Sequence, residues 1–210
     1  MSKLIPIAAP LREALFECFR ATTCLVRPEL RRQLTLVGGA TSVAHFSVLY
    51  TEDIDIASTS EPIIDVLSSI LAGAPGFTIE PDMKIAFDTS KGIRIRVDLI
   101  EIGEGCIERI HATRPFFEGS VASISDLLRL RAVMVVDRGS DGEIEDFRWL
   151  LSEAAKAGEI PPELDSLEQE CILGAGEASL GLLDRLLLLA VLSGKNAAAM
   201  LLNDPRHRYF

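Results

Sequence analysis

The segment Thr51-Glu52-Asp53-Ile54-Asp55-Ile56 sets two acidic residues one position apart between isoleucines. Read as a strand, it has little freedom. Successive side chains of a strand leave on opposite faces, so Asp53 and Asp55 share one face while Ile54 and Ile56 line the other. The apolar face calls for a core and the acidic face for a cation. Carboxylates at that spacing repel unless positive charge lies between them. A hard divalent ion such as Mg2+, held by one or two carboxylates plus substrate phosphates, meets that need. Upstream, Leu36-Val37 runs straight into Gly38-Gly39. Paired glycines allow a sharp turn and a close approach of backbone to ligand, and a helix starting near Ala40 would aim free N–H groups at the same place. The two stretches together predict a site for a metal-bound nucleoside triphosphate.

The remainder of the chain narrows the class of partner. A formal net charge of −10 over 210 residues argues against coating nucleic acid through its phosphates, which needs a basic surface, so no non-specific DNA binding is expected. Apolar residues make up 48% of the chain and charged residues 25%, as in a folded domain with a large core. Cys18, Cys24, Cys106 and Cys171 stand at no metal-ligand spacing and in no paired frame; buried free thiols in a reducing compartment are expected. The N-terminal apolar run is broken by Pro6 and Pro10, unlike a secretory signal. The most apolar stretch, residues 186–192, is too short to cross a bilayer. A cytoplasmic protein without membrane contact is the expectation.

Periodicity divides the chain into an α/β part and a helical part. Leu11, Leu15, Phe16 and Phe19 predict an amphipathic helix over 10–22. Pro28 suits the first position of a short helix to 32. A strand over 33–37, a helix over 40–50 and a strand over 52–57 follow. A helix capped by Ser60 runs to 71. Residues 77–80 and 84–87 read as short strands. The clearest strand is 92–102, with Ile93, Ile95, Val97 and Leu99 on one face and Arg94, Arg96 and Asp98 on the other. Residues 106–117 add a further strand or an irregular edge. From Ser125 the pattern is helical, in segments separated by Gly139, Gly142, Gly158 and Pro161-Pro162: up to 139, then 143–157, 164–173, 180–192 and 197–202. The fold class is α/β of the α+β kind, a mixed-sheet core over 1–120 with a C-terminal helical region over 121–210 packed on it.

A strand ending in Gly38-Gly39, a helix, Asp53-Ile54-Asp55 on the next strand and Asp98 central on a later one form a pattern. It resembles the nucleotidyltransferase superfamily that includes DNA polymerase β. Within that superfamily the likeness is to small enzymes related to abortive-infection toxins, whose strand often reads Thr-x-Asp-Ile-Asp, here Thr51 to Asp55. Those proteins also carry a later helix similar to Asp126-Leu127-Leu128, Arg131, Ala132, Asp137-Arg138 and Asp146. The resemblance spans roughly residues 30–152. Three positions depart from it: Leu49 stands where relatives often have Arg, Arg131 where they usually have Lys, and Ala40 follows the glycines without a serine.

The resemblance implies two Mg2+ ions held by Asp53, Asp55 and Asp98, the three catalytic carboxylates, as two-metal sites generally require. It implies transfer of a nucleoside monophosphate from a nucleoside triphosphate to a hydroxyl of a protein, an RNA end or a small molecule, with pyrophosphate leaving. Nucleotide-binding candidates are Gly38, Gly39, Thr41, Ser42, Arg94, Arg96 and Arg131. Arg94 and Arg96 read equally as a cationic rim or as ion-pair partners of the site carboxylates, and Arg131 and Arg138 as phosphate ligands or partners of Asp137 and Asp146. His45, mid-helix among apolar residues, reads as a satisfied core histidine, and His111 and His207 as surface groups. Phe147 and Trp149 read as core. The 180–192 helix, apolar nearly all round, is either buried or joins a second copy in a homo-oligomer. The alternative function is a catalytically inactive member of the fold that binds nucleotide or protein.

Overall fold

The structure is a computed structural model that describes residues 6–103, 107–157 and 164–193. Its contacts divide the chain into Met1–Ser123 and Ile124–Phe210.

The first unit is built on a seven-stranded mixed sheet. In chain order its elements are α1 (Ala9–Cys24), a 3-10 turn (Arg31–Gln33), β1 (Thr35–Val37), α2 (Gly38–Ala44), β2 (Asp53–Ser58), α3 (Ser60–Leu71), β3 (Phe77–Ile79), β4 (Ile85–Asp88), β5 (Arg94–Glu101), β6 (Thr113–Phe116) and β7 (Gly119–Ala122). The strand order is β3-β4-β5-β2-β1-β7-β6. β2 runs parallel to β5 and β1 parallel to β7; the other pairs are antiparallel. One face of the sheet is apolar, as alternation demands. Leu36, Ile54, Ile56, Phe77, Ile85, Phe87, Ile95 and Val97 form one buried cluster with Leu15 and Phe19 of α1 and Val66 and Ile70 of α3. Pro10 opens α1, where a missing N–H costs nothing. Cys18 of that helix sits in the cluster, and burial pushes its thiol well above the ordinary range. Cys24, at the end of the same helix, is exposed, contrary to expectation.

The helix expected over 40–50 starts at Gly38 and stops at Ala44. Phe46 takes a positive φ of 74°, which no α-helix continues through. Beyond it the chain has no regular structure before β2, and Val48 accepts a hydrogen bond from Ile7 N–H at 2.8 Å. Ser60 begins α3 but does not cap it; Thr59 holds the cap position, and the Ser60 hydroxyl donates to Glu101 instead. β7 was not foreseen from the sequence. All four of its residues are buried, so the inside-outside alternation that marks a strand is missing.

The second unit contains α4 (Ile124–Asp137), α5 (Asp141–Ala157), α6 (Ser166–Ser179) and α7 (Leu182–Ser193). α6 runs six residues beyond the expected end at 173, straight through Gly174 and Gly176. Gly176 is there for proximity: a Cβ on it would lie 2.5 Å from Leu188 Cδ2 of α7. A buried ion cluster ties α4 to α6. Arg129, 4% exposed, pairs with Asp126 at 3.2 Å and with Glu168 at 2.7 Å. Glu168 also completes a capping box: Asp165 N–H donates to Glu168 Oε2, and Glu168 N–H to Asp165 Oδ1, each at 2.9 Å. On α7, Leu188 and Val191 are buried whereas Leu182 and Leu183 are exposed, so the apolar helix buries one side. Phe147 is core and Trp149 half-buried. Cys106, His207 and the helix expected over 197–202 lie outside the described residues. No helix among the described residues is long and apolar enough to cross a membrane.

Candidate functional site

The face of the sheet opposite the apolar cluster is charged. β2 and β5 run side by side with Asp53 opposite Arg96 and Asp55 opposite Asp98. Register partners on adjacent strands point the same way, so two carboxylates occupy neighbouring places on one face, and like charges so placed are destabilising without a counter-charge. On the other side of β2, Asp55 faces Val37, the last residue of β1. There the chain turns sharply into α2, because Gly38 adopts φ +65°. The turn brings backbone hard against the acid: a Cβ on Gly38 would lie 1.9 Å from Asp55 Oδ2. Only glycine fits, on both counts. A Cβ on Gly39 would meet the Thr51 hydroxyl at 2.9 Å. That hydroxyl donates to Asp53 Oδ1 at 2.9 Å.

The three acids are therefore not equivalent. Asp55 and Asp98 are a facing pair, while Asp53 lies two residues along β2, roughly 7 Å away along the strand, and is held by Thr51. Among the described residues, no three His, Cys, Asp or Glu side chains gather closely enough to hold a metal ion by themselves. The expected three-carboxylate cage is not closed.

The basic residues divide differently from expectation. Arg94 pairs with Asp88 at 2.8 Å and Glu80 at 3.1 Å and also donates to Thr78; Arg96 pairs with Glu80 at 3.2 Å. Neither makes an ion pair with the site carboxylates. Lys84 does, its Nζ 3.7 Å from Asp98 Oδ1. Sequence reading missed Lys84, although the signal was present. Counting back from the turn Thr89–Gly92 in an antiparallel hairpin sets Lys84 opposite Asp98, one residue beyond the observed pair Ile85 and Val97.

Thr41 and Ser42, expected to offer hydroxyls to phosphate, are buried at 0% and 1% exposure. α2 begins two residues earlier than expected, and Thr41 Oγ1 has no hydrogen-bond partner among the described residues. Arg131 belongs to the helical unit, where it pairs with Asp146 at 2.8 Å; Arg138 lies 3.7 Å from Glu143. His45 is a satisfied core group. Its Nε2 lies 2.8 Å from the Ala122 carbonyl and its Nδ1 accepts from Arg114, which together require the tautomer protonated at Nε2. His111 is half-buried rather than fully at the surface.

Among solved structures, an antigenic nucleotidyltransferase-like protein from Paracoccidioides brasiliensis superposes with a TM-score of 0.57 at 13% identity, over 82% of this chain and 90% of that one. A candidate nucleotidyltransferase from H. pylori aligns over 88% of this chain and 97% of that one at 10% identity, with a TM-score of 0.40. No family model matches the sequence. No curated protein matches it either. At such identities the likeness is one of architecture, and it agrees with a glycine turn leading into a helix beside a strand that carries Asp53 and Asp55. The chain has a nucleotidyltransferase-like fold.

Proposed function

We propose that the chain is a Mg2+-dependent nucleotidyltransferase that moves a nucleoside monophosphate from a nucleoside triphosphate to a hydroxyl acceptor. The observation that carries this reading is the in-register pairing of Asp55 with Asp98 beside the Gly38 turn. Facing carboxylates on an open face are costly to the fold and useful to a cation. The donor set fits Mg2+: the oxygens are hard, and the ion ordinarily keeps waters and takes its remaining ligands from phosphates. Such a site needs no closed protein cage, in keeping with the absence of one among the described residues.

In this reading Asp53 and Asp55 would hold the metal-bound triphosphate, and Asp98 would serve with Asp55 as a metal ligand on the side where the acceptor hydroxyl is activated. Mg2+ supplies neutralisation of the charge that builds on the phosphate oxygens. The acceptor oxygen bonds to the α-phosphorus as the bond to the β-phosphate oxygen breaks. Pyrophosphate leaves with the electron pair, and Asp98 takes the hydroxyl proton. Gly38 and Gly39 let the phosphates approach the backbone. Arg94 and Arg96, both on this face, supply a cationic rim. Catalysis of this kind is positioning and charge stabilisation.

The test has two steps. A thermal melt with each nucleoside triphosphate, with and without Mg2+, should rise only with both present, since a ligand that binds the native state raises apparent stability. The rise should vanish in Asp55→Asn. Incubation with α-labelled triphosphates in a lysate, followed by separation of protein, RNA and small molecules, should then label one class. Metal-dependent binding without any label would mark a nucleotide-binding module instead.

A further inference from the structure

Asp98 has a cation beside it already. Lys84 lies opposite it by continuation of the β4–β5 register, and Glu80 lies opposite Lys84 in turn, its N–H bonded to the Lys84 carbonyl at 2.7 Å. An ammonium between two acids would ordinarily serve both. Here Glu80 is taken by Arg94 at 3.1 Å and Arg96 at 3.2 Å, so the one ion pair of Lys84 among the described residues is with Asp98, at 3.7 Å. The pair is half open to water, with side-chain exposures of 46% and 39%. Exposed pairs at this separation are weak and exchange readily. A lysine on a flexible stem is suited to leaving when a stronger cation arrives.

We propose that Lys84 is a resident counter-ion that competes with divalent metal for Asp98. It balances the facing carboxylates while the site is empty and raises the threshold against free metal ions, so that the site loads when a triphosphate brings the cation with it. Lys84 is a positioning residue in this scheme, acting through Asp98. The inference rests on the proposed reading of Asp55 and Asp98 as metal ligands.

Mn2+ alone is the probe, titrated against the full chain and followed by the electron paramagnetic resonance of the free ion. Lys84→Met removes the charge and keeps the stem. It should bind Mn2+ about three- to tenfold more tightly than the unaltered chain, the size expected for losing one half-exposed neighbouring charge. Lys84→Arg should restore the original affinity, and Asp98→Asn should weaken binding whatever stands at 84. A purely structural lysine would weaken or leave unchanged the affinity when removed. Mn2+ binding that depends on Asp98 but is equal or weaker in Lys84→Met overturns the counter-ion and leaves the metal site standing. Absence of Asp98-dependent Mn2+ binding in the unaltered chain and in Lys84→Met overturns both. Should Lys84→Met melt early, Lys84→Gln gives the same comparison.

Discussion

Two of the networks that basic residues and carboxylates form among the described residues stand under opposite conditions. On the sheet, Arg94, Arg96, Lys84, Glu80, Asp88 and Asp98 lie along an open face, several with half their side chains in water. In the helical unit, Arg129, Asp126 and Glu168 are shut away from solvent, the arginine side chain 5% exposed and the aspartate 0%. The residue types are the same and the distances similar. What differs is the cost of letting go. An exposed pair trades a partner for water at little loss, whereas a buried charge stripped of its partner is left without compensation. The open network can therefore be rearranged by a ligand, and the closed one fixes helices.

That contrast can be broken or sharpened by substitution. The largest effect should come from the open face: Asp55→Asn or Asp98→Asn should lower nucleotidyl transfer by about a thousandfold or more, roughly 4 kcal/mol in the transition state. Melting temperature should stay level or rise, because like charges no longer stand opposite each other. A matching loss of stability would show that the pair serves the fold. Next, Arg129→Met should destabilise the helical unit by about 3–5 kcal/mol in chemical denaturation, since two buried carboxylates lose their cation. A loss below ~1 kcal/mol would place that cluster with the exposed pairs. Gly38→Ala should cost roughly 1–3 kcal/mol, because it forces both a left-handed backbone and a clash with Asp55; transfer should fall with it.

The smaller effects test the other side. Arg94→Gln should leave the melting temperature within error while making triphosphate binding less sensitive to salt. Last, Arg27 holds the Asp65 carboxyl below the ordinary carboxylate range by a direct hydrogen bond. A depressed carboxyl stabilises the fold above its unfolded value of about 3.9 and loses that contribution as pH falls through the folded value. The difference in melting temperature between the unaltered chain and Asp65→Asn should thus be present at neutral pH, small because the pair is exposed, and absent in strong acid.

How far the sequence foretold the structure follows the same division between local and assembled. The acidic strand, the glycine turn and the Ile93–Leu99 alternation were legible because period-2 patterning is written in consecutive residues. The fold class followed from them and agrees with the solved nucleotidyltransferase-like structure. β7 was not legible, since a strand buried on both faces by short residues has no alternation to read. The early end of α2 turns on a single dihedral at Phe46, which neighbouring residues do not announce. In the site, sequence brought Asp53, Asp55 and Asp98 together and set Asp98 apart on the acceptor side, but it did not say which of the other two stands opposite it. Which two of them face each other depends on register between strands some forty residues apart. The partner of Asp98 depends on a hairpin register as well, and so Lys84 was passed over in favour of the more conspicuous Arg94 and Arg96.

Glu168 does two jobs with one carboxylate: Oε2 accepts from the Asp165 amide at the start of α6, and Oε1 anchors Arg129 on α4. Neither job can be lost alone. Fraying of that first turn withdraws the anchor, and withdrawal of the anchor exposes the turn, so the two helices should open as one cooperative piece. In hydrogen exchange, the amides around residue 168 and those around residue 129 would then share a single opening free energy rather than fading separately.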